Sequence, residues 1–172
     1  MVEAMFGEIR IPPWLGAITH ISAFPIVFGV VPWALSTLGV RHGWIGSSPG
    51  VWNLMGLILV GAGFVLAGFC LRVHFAAAPQ GWLVERTPYY PTPSYLLTVG
   101  PYSRSRNPDY MAKGIIFLGC IVFYGSLVLA GILMLAALIL GPFVLPREER
   151  GLEARFGEAY RDYCRKTPRF LW

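Results

Sequence analysis

IIFLGCIVFYGSLVLAGILMLAALILGPFVL, residues 115–145, is apolar for 31 consecutive positions. As an α-helix it would extend about 46 Å, against a bilayer hydrocarbon core of about 30 Å. That is too long for one comfortable crossing and short for two full ones. Gly125-Ser126 stands near its middle. The basic residues decide between a single crossing and a hairpin. With a turn at Gly125-Ser126 and a cytoplasmic N-terminus, Arg10, Arg72, Arg86, Arg104, Arg106, Lys113 and the seven basic residues beyond Pro146 share the cytoplasmic side, and Arg41 alone lies outside. With a single crossing the basic tail would fall outside. Lys and Arg concentrate in cytoplasmic loops, so a helical hairpin over 109–146 is the expected arrangement.

Two more apolar stretches precede it. Residues 14–40 form a first span of 27 residues, about 40 Å as a helix, kinked at Pro25 and Pro32. A short Gly/Ser/Pro loop leads to a second span over 51–71. Within it, Gly61-Ala62-Gly63 lacks the strand and spacing of a dinucleotide loop, and small residues at Gly63 and Ala67 suit close helix packing. Residues 72–108 hold Pro79, Pro88, Pro91, Pro93 and Pro101 with Tyr89, Tyr90 and Tyr95, a connector unable to form a long helix and suited to the membrane interface. Beyond the hairpin, Leu152, Phe156, Tyr160 and Tyr163 recur at helical spacing, so 147–166 reads as one amphipathic helix on the cytosolic face. Residues 1–13 place acids before any apolar run and read as a retained segment rather than a signal peptide.

Composition agrees. Of 172 residues, 55% are apolar and 13% charged, about half the charged share of soluble domains, and the mean hydropathy is +0.57. Disordered, coiled-coil and collagen-like chains are excluded, and lipid is the expected solvent. The formal charge of +5 offers no soluble basic face for nucleic acid. Cys70, Cys120 and Cys164 have neither metal nor redox spacing, and His20, His42 and His74 are scattered, so no metal site is expected. His20 reads as a polar residue near a span end. The fold class is therefore an all-α integral membrane protein, one domain over 1–172 with about four transmembrane segments and both termini cytoplasmic, in the plasma or inner membrane if the host is prokaryotic.

Chemistry gathers in two places. Residues 100–110, GPYSRSRNPDY, lead into the hairpin, and Pro146-Arg147-Glu148-Glu149 leads out of it. A hairpin brings both to one membrane face. There, guanidiniums of Arg104 and Arg106 suit a carboxylate or phosphate. The carboxylates Glu148 and Glu149 suit an ammonium or ribose hydroxyls, and Tyr102 and Tyr110 suit a purine or cation. This set matches S-adenosylmethionine, a nicotinamide dinucleotide, or simply interfacial anchors whose acids pair with arginines one turn away.

At these residues the sequence resembles the integral-membrane methyltransferases related to isoprenylcysteine carboxyl methyltransferase and phospholipid methyltransferase. Their pattern is roughly G-P-Y-x-x-x-R-H/N-P-x-Y-x-G, an apolar hairpin, E-E, a Leu, F-G-x-x-Y-x-x-Y and P-R. Gly100, Pro101, Tyr102, Arg106, Asn107, Pro108 and Tyr110 match the first half. Glu148, Glu149, Leu152, Phe156, Gly157, Tyr160, Tyr163, Pro168 and Arg169 match the second. The likeness covers about 85–172. It implies a membrane transferase in which Tyr102, Arg106, Asn107, Pro108, Tyr110, Glu148 and Glu149 bind S-adenosylmethionine, while Glu149 and Arg169 act near a lipophilic acceptor that enters from the lipid. Glu149 would take the proton of an amine acceptor. Asn107 replaces the frequent His and can only hydrogen-bond, and Ala112 replaces a Gly. No obligate protein partner is evident. Two other readings stay open: a nicotinamide-dependent reductase, since the C-terminal motif also resembles that of sterol reductases, and a non-catalytic membrane protein.

Overall fold

The computed structural model describes residues 8–11, 25–78, 82–86 and 91–170. The retained-segment reading of 1–13 therefore lies mostly outside the described residues, as do the first part of the 14–40 span with His20, and Tyr89 and Tyr90. The chain is mostly helical and falls into two compact units. The first comprises the described parts of 1–19, 69–107 and 139–172, and the second those of 20–68 and 108–138.

The described elements begin with strand β1 (Glu8–Ile11) and helix α1 (Ile26–Ser36). A two-stranded hairpin follows, β2 (Trp44–Ile45) with β3 (Ser48–Pro49), then α2 (Val51–Ala77). Strands β4 (Trp82–Arg86) and β5 (Pro91–Pro93) lead to α3 (Pro108–Tyr124), α4 (Leu127–Phe156) and α5 (Glu158–Lys166). Helices α2 and α4 are long and apolar enough to cross a membrane, α1 is a shorter apolar helix, and α3 has 17 residues. On α2, Trp52, Leu54, Leu57, Ile58, Val65 and Phe69 are exposed. Such a surface suits lipid as solvent.

Three details depart from the sequence reading. The connector does not begin at residue 72, because α2 continues to Ala77. The chain is not wholly helical: β4 pairs antiparallel with β1 and with β5, so Glu85 lies opposite both Glu8 and Thr92. Prolines exclude a helix, yet an edge strand tolerates them because its outer N–H groups need no partner, and β5 with Pro91 and Pro93 is an edge. Finally, 147–166 is not one helix. Gly157, at φ +53°, separates α4 from α5, a conformation open to glycine at little cost.

The second unit shows how the apolar helices pack. In lipid no hydrophobic drive remains between helices, so close contact and internal hydrogen bonds must hold them. Buried Asn53, Gly56, Gly63 and Ala67 share one stripe of α2. A Cβ on Gly56 would strike the carbonyl of Gly119 in α3, and one on Gly63 would come within 2.5 Å of Ile116. Ala112 is fully buried in the same helix. Ile116, Cys120 and Leu129 form the core, joining the start of α4 to α3. In α1, Pro32 has no N–H for the Phe28 carbonyl four residues back, and the helix widens over Ile26–Val30. The Cys120 thiol donates to that carbonyl at 3.6 Å.

The turn between α3 and α4 is tightly specified. Gly125 N–H donates to Val122 O, and Ser126 N–H to Ile121 O, closing α3 with a Schellman motif that needs a left-handed residue at Gly125 (φ +57°). Asn53 Nδ2 donates to Val122 O (3.0 Å) and His42 O (3.1 Å), and Trp44 Nε1 donates to Phe123 O (2.9 Å). The Arg41 guanidinium lies 4.8 Å from the Trp44 ring and 5.4 Å from that of Tyr124. A Cβ at Gly125 would collide with His42 O, whereas one at Gly131 would meet nothing. Gly125→Ala is therefore expected to lower the melting temperature in detergent by several degrees, roughly 2 kcal/mol or more, and Gly131→Ala to leave it equal or higher. Thermal unfolding of the two variants side by side checks this.

Candidate functional site

The first unit carries the charged residues singled out by the sequence. Gly100–Ser103 forms one 3-10 turn with Pro101 near its start, and Ser103 Oγ donates back to Gly100 O at 2.7 Å. Arg104 and Ser105 N–H both donate to Pro101 O at 3.2 Å. The turn buries Tyr102 and Ser105 and leaves Arg104 exposed. Residues 105–107 are then joined to the C-terminal segment. Arg106 N–H donates to Pro168 O (2.9 Å), Ser105 Oγ to Arg169 O (3.0 Å) and Asn107 Nδ2 to the same oxygen (3.4 Å). The Tyr163 hydroxyl, from α5, donates to Tyr102 O at 2.6 Å and to Ser105 O at 3.4 Å.

This backbone frame sets an ion cluster. Arg106 Nη1 lies 3.3 Å from Glu149 Oε1 and donates to Cys164 Sγ at 2.7 Å. Arg169 Nε donates to Glu149 Oε1 at 3.0 Å, and its Nη2 donates to Oε2. The side chains of Arg106 and Glu149 are only 17% and 16% exposed, so their attraction is screened far less than that of a surface pair. Burial pulls the Arg106 pKa down, but the Glu149 carboxylate and the Cys164 sulfur outweigh it and hold the guanidinium above its ordinary value. Hydrogen bonding to Glu149 raises Arg169 as well. Tyr160, in contact with the Tyr163 ring, is raised by burial first and then by the Glu149 charge.

Of the candidate residues, Arg106, Asn107, Glu149 and Arg169 meet here, and Tyr102 joins them through its main chain. Glu148 is half-buried one position before Glu149, with contacts of its own. Pro108 and Tyr110 lie at the start of α3, in the other unit. There Pro108 is buried, and the Lys113 ammonium sits 5.4 Å from the Tyr110 ring. Three participants were not singled out. Ser105 precedes Arg106 directly. Cys164 follows Tyr163 and lies four positions after Tyr160, a spacing that places it near the same helix face, whereas the sequence reading considers it for metal and redox spacing alone. His74 is one of three histidines scattered in the sequence, yet its Nδ1 and Nε2 each lie 3.0 Å from a phenol oxygen, those of Tyr95 and Tyr102.

Two guanidiniums and one carboxylate leave the cluster with one surplus positive charge. Arg106 Nε is buried with no hydrogen-bond partner among the described residues. The cluster can therefore take one anionic oxygen ligand such as a carboxylate.

Burial pushes the Tyr163 phenol up to about 12. A folded value above the ordinary one near 10 means that the stability contributed is complete below about pH 10 and is lost as pH rises through about 12. Tyr163→Phe is expected to melt lower at pH 8, since two buried carbonyls lose their donor, and to show a shallower further loss between pH 10 and 12. Melting curves across that range check both parts.

A family model for phospholipid methyltransferases matches residues 52–159. No curated protein and no solved structure matches the chain. The matched segment runs from α2 into α5, well over half of the chain, and includes Tyr102, Arg106, Asn107 and Glu149. The chain therefore belongs to the phospholipid methyltransferase family.

Proposed function

We propose that this protein transfers a methyl group from S-adenosylmethionine to a lipophilic acceptor held in the membrane, at its cytosolic face. The observation that carries the reading is the ion cluster in which Glu149 holds Arg106 and Arg169 together, in a chain of a methyltransferase family. When bound, S-adenosylmethionine supplies an electrophilic methyl on a sulfonium, which the acceptor's lone pair takes, leaving a neutral thioether.

The donor set fits that cofactor. The surplus positive charge and the unpartnered Arg106 Nε suit the carboxylate of its amino-acid end. Asn107 supplies neutral hydrogen bonds, and Glu148 supplies a carboxylate for an ammonium or a ribose hydroxyl. The ring of Tyr102 suits the adenine. Both Glu149 oxygens are engaged by guanidiniums, so Glu149 as found here orients the two arginines. To take a proton from an amine acceptor it must first release Arg169, the more exposed partner, at 39% against 17% for Arg106. The topology that supports this reading has four spans, with α3 and the apolar part of α4 as the hairpin. A cytosolic connector and tail would meet at its open end, with both termini cytoplasmic.

Calorimetric titration of the detergent-purified protein with S-adenosylhomocysteine, followed by transfer of labelled methyl into extracted lipids, tests the proposal. Saturable binding is expected, weakened at least 100-fold in Glu149→Ala, because Glu149 is the group that fixes both guanidiniums in place. Label should appear in the lipid phase. A folded, monodisperse protein that binds NADPH but not S-adenosylhomocysteine would overturn the reading.

A further inference from the structure

We infer that His74 is a positioning residue for the cofactor pocket, acting through Tyr102; this rests on the cofactor reading above. His74 lies in the last turn of α2, outside both sequence motifs. Its ring meets Tyr95 and Tyr102 edge-on, with centroids 5.9 and 5.7 Å away and interplanar angles of 73° and 87°. Both imidazole nitrogens face phenol oxygens at 3.0 Å. A neutral imidazole has one N–H and one bare nitrogen, so one phenol accepts from it and the other donates to it. A histidine engaged on both sides is poorly placed as a general base. It is well placed to fix the rotation of the Tyr102 ring, whose main-chain carbonyl is held separately by Tyr163. Tyr102 is thus held at its carbonyl by Tyr163 and at its phenol by His74. Tyr95 braces the imidazole from the other side. Its phenol is pushed up to about 12 by burial, so it remains a neutral hydrogen-bonding group across the working pH range.

Each ring nitrogen has a shorter amide mimic. A glutamine amide reaches the position of Nε2, and an asparagine amide that of Nδ1. His74→Gln should keep the Tyr102 contact, and His74→Asn should keep only that to Tyr95. Binding of S-adenosylhomocysteine to the full-length protein in detergent is measured beside melting temperature. His74→Gln is expected to bind within about threefold of the wild type, and His74→Asn at least tenfold more weakly, at similar melting temperatures. Tyr102→Phe should reproduce the weakening, and Tyr102→Phe combined with His74→Asn should add little to it. Equal affinities for the Gln and Asn variants, whether both unchanged or both reduced along with melting temperature, would overturn the inference, the latter leaving His74 a merely structural role. Absence of wild-type binding would instead sink the cofactor reading itself, so the two failures are distinguishable.

Discussion

One carboxylate shared by two arginines organises the first unit. Glu149 projects from α4, Arg106 comes from the connector and Arg169 from the tail, and neither arginine pairs with another carboxylate among the described residues. Two guanidiniums this near each other would repel, and burial would add a desolvation cost. A bidentate contact with Arg169 and a second contact with Arg106 offset both. The hydrogen bonds around the cluster run largely to main-chain carbonyls: from Arg106 N–H to Pro168, from the Ser105 hydroxyl to Arg169 and from the Tyr163 hydroxyl to Tyr102. They hold the segments bearing the arginines whatever the arginines themselves do. This division of labour leaves the charged side chains available to a ligand without the frame depending on them.

The second unit answers a different demand. A helix in lipid gains nothing by hiding apolar surface, so its contacts come from shape and from polar groups with nowhere else to turn. Gly56, Gly63 and Gly119 let backbones approach, while Asn53 and Trp44 spend their N–H groups on α3 carbonyls. The thiol of Cys120 donates to the Phe28 carbonyl of α1. Each is a local defect in one segment supplied by a neighbouring one.

How far the sequence could be read follows from these two regimes. The helical runs were legible because the lipid phase admits little besides apolar residues, and α2 and α4 stand where hydropathy places them. The Gly125-Ser126 interruption was legible because few other dipeptides close a helix so abruptly. The meeting of Arg106 with Glu149 followed from the two motifs. Other features rest on long-range geometry that local pattern does not encode. Prolines forbid a helix but do not say whether a strand or a coil replaces it, so the β1–β4–β5 sheet was missed. The break at Gly157 was hidden by a stripe of apolar residues whose spacing continues across it. His74 carries no spacing signal and Cys164 only its place four positions after Tyr160, since their partners are distant in sequence: Tyr102 lies 28 residues beyond His74, and Arg106 lies 58 before Cys164.

The clasp around the end of α3 bears on the order in which the chain can be assembled. Its donors, His42, Trp44 and Asn53, leave the ribosome some seventy to eighty residues before the carbonyls they serve. Synthesis is vectorial, and earlier segments have the chance to settle first. The hairpin of β2 and β3 with the first turn of α2 can therefore stand as a waiting socket at the membrane surface. When α3 emerges, the carbonyls of Phe123 and Gly125 meet their donors in that socket. Insertion of the second half of the protein is in this sense templated by the first, and the cost of an unpaired carbonyl in hydrocarbon makes a misplaced α3 hard to retain.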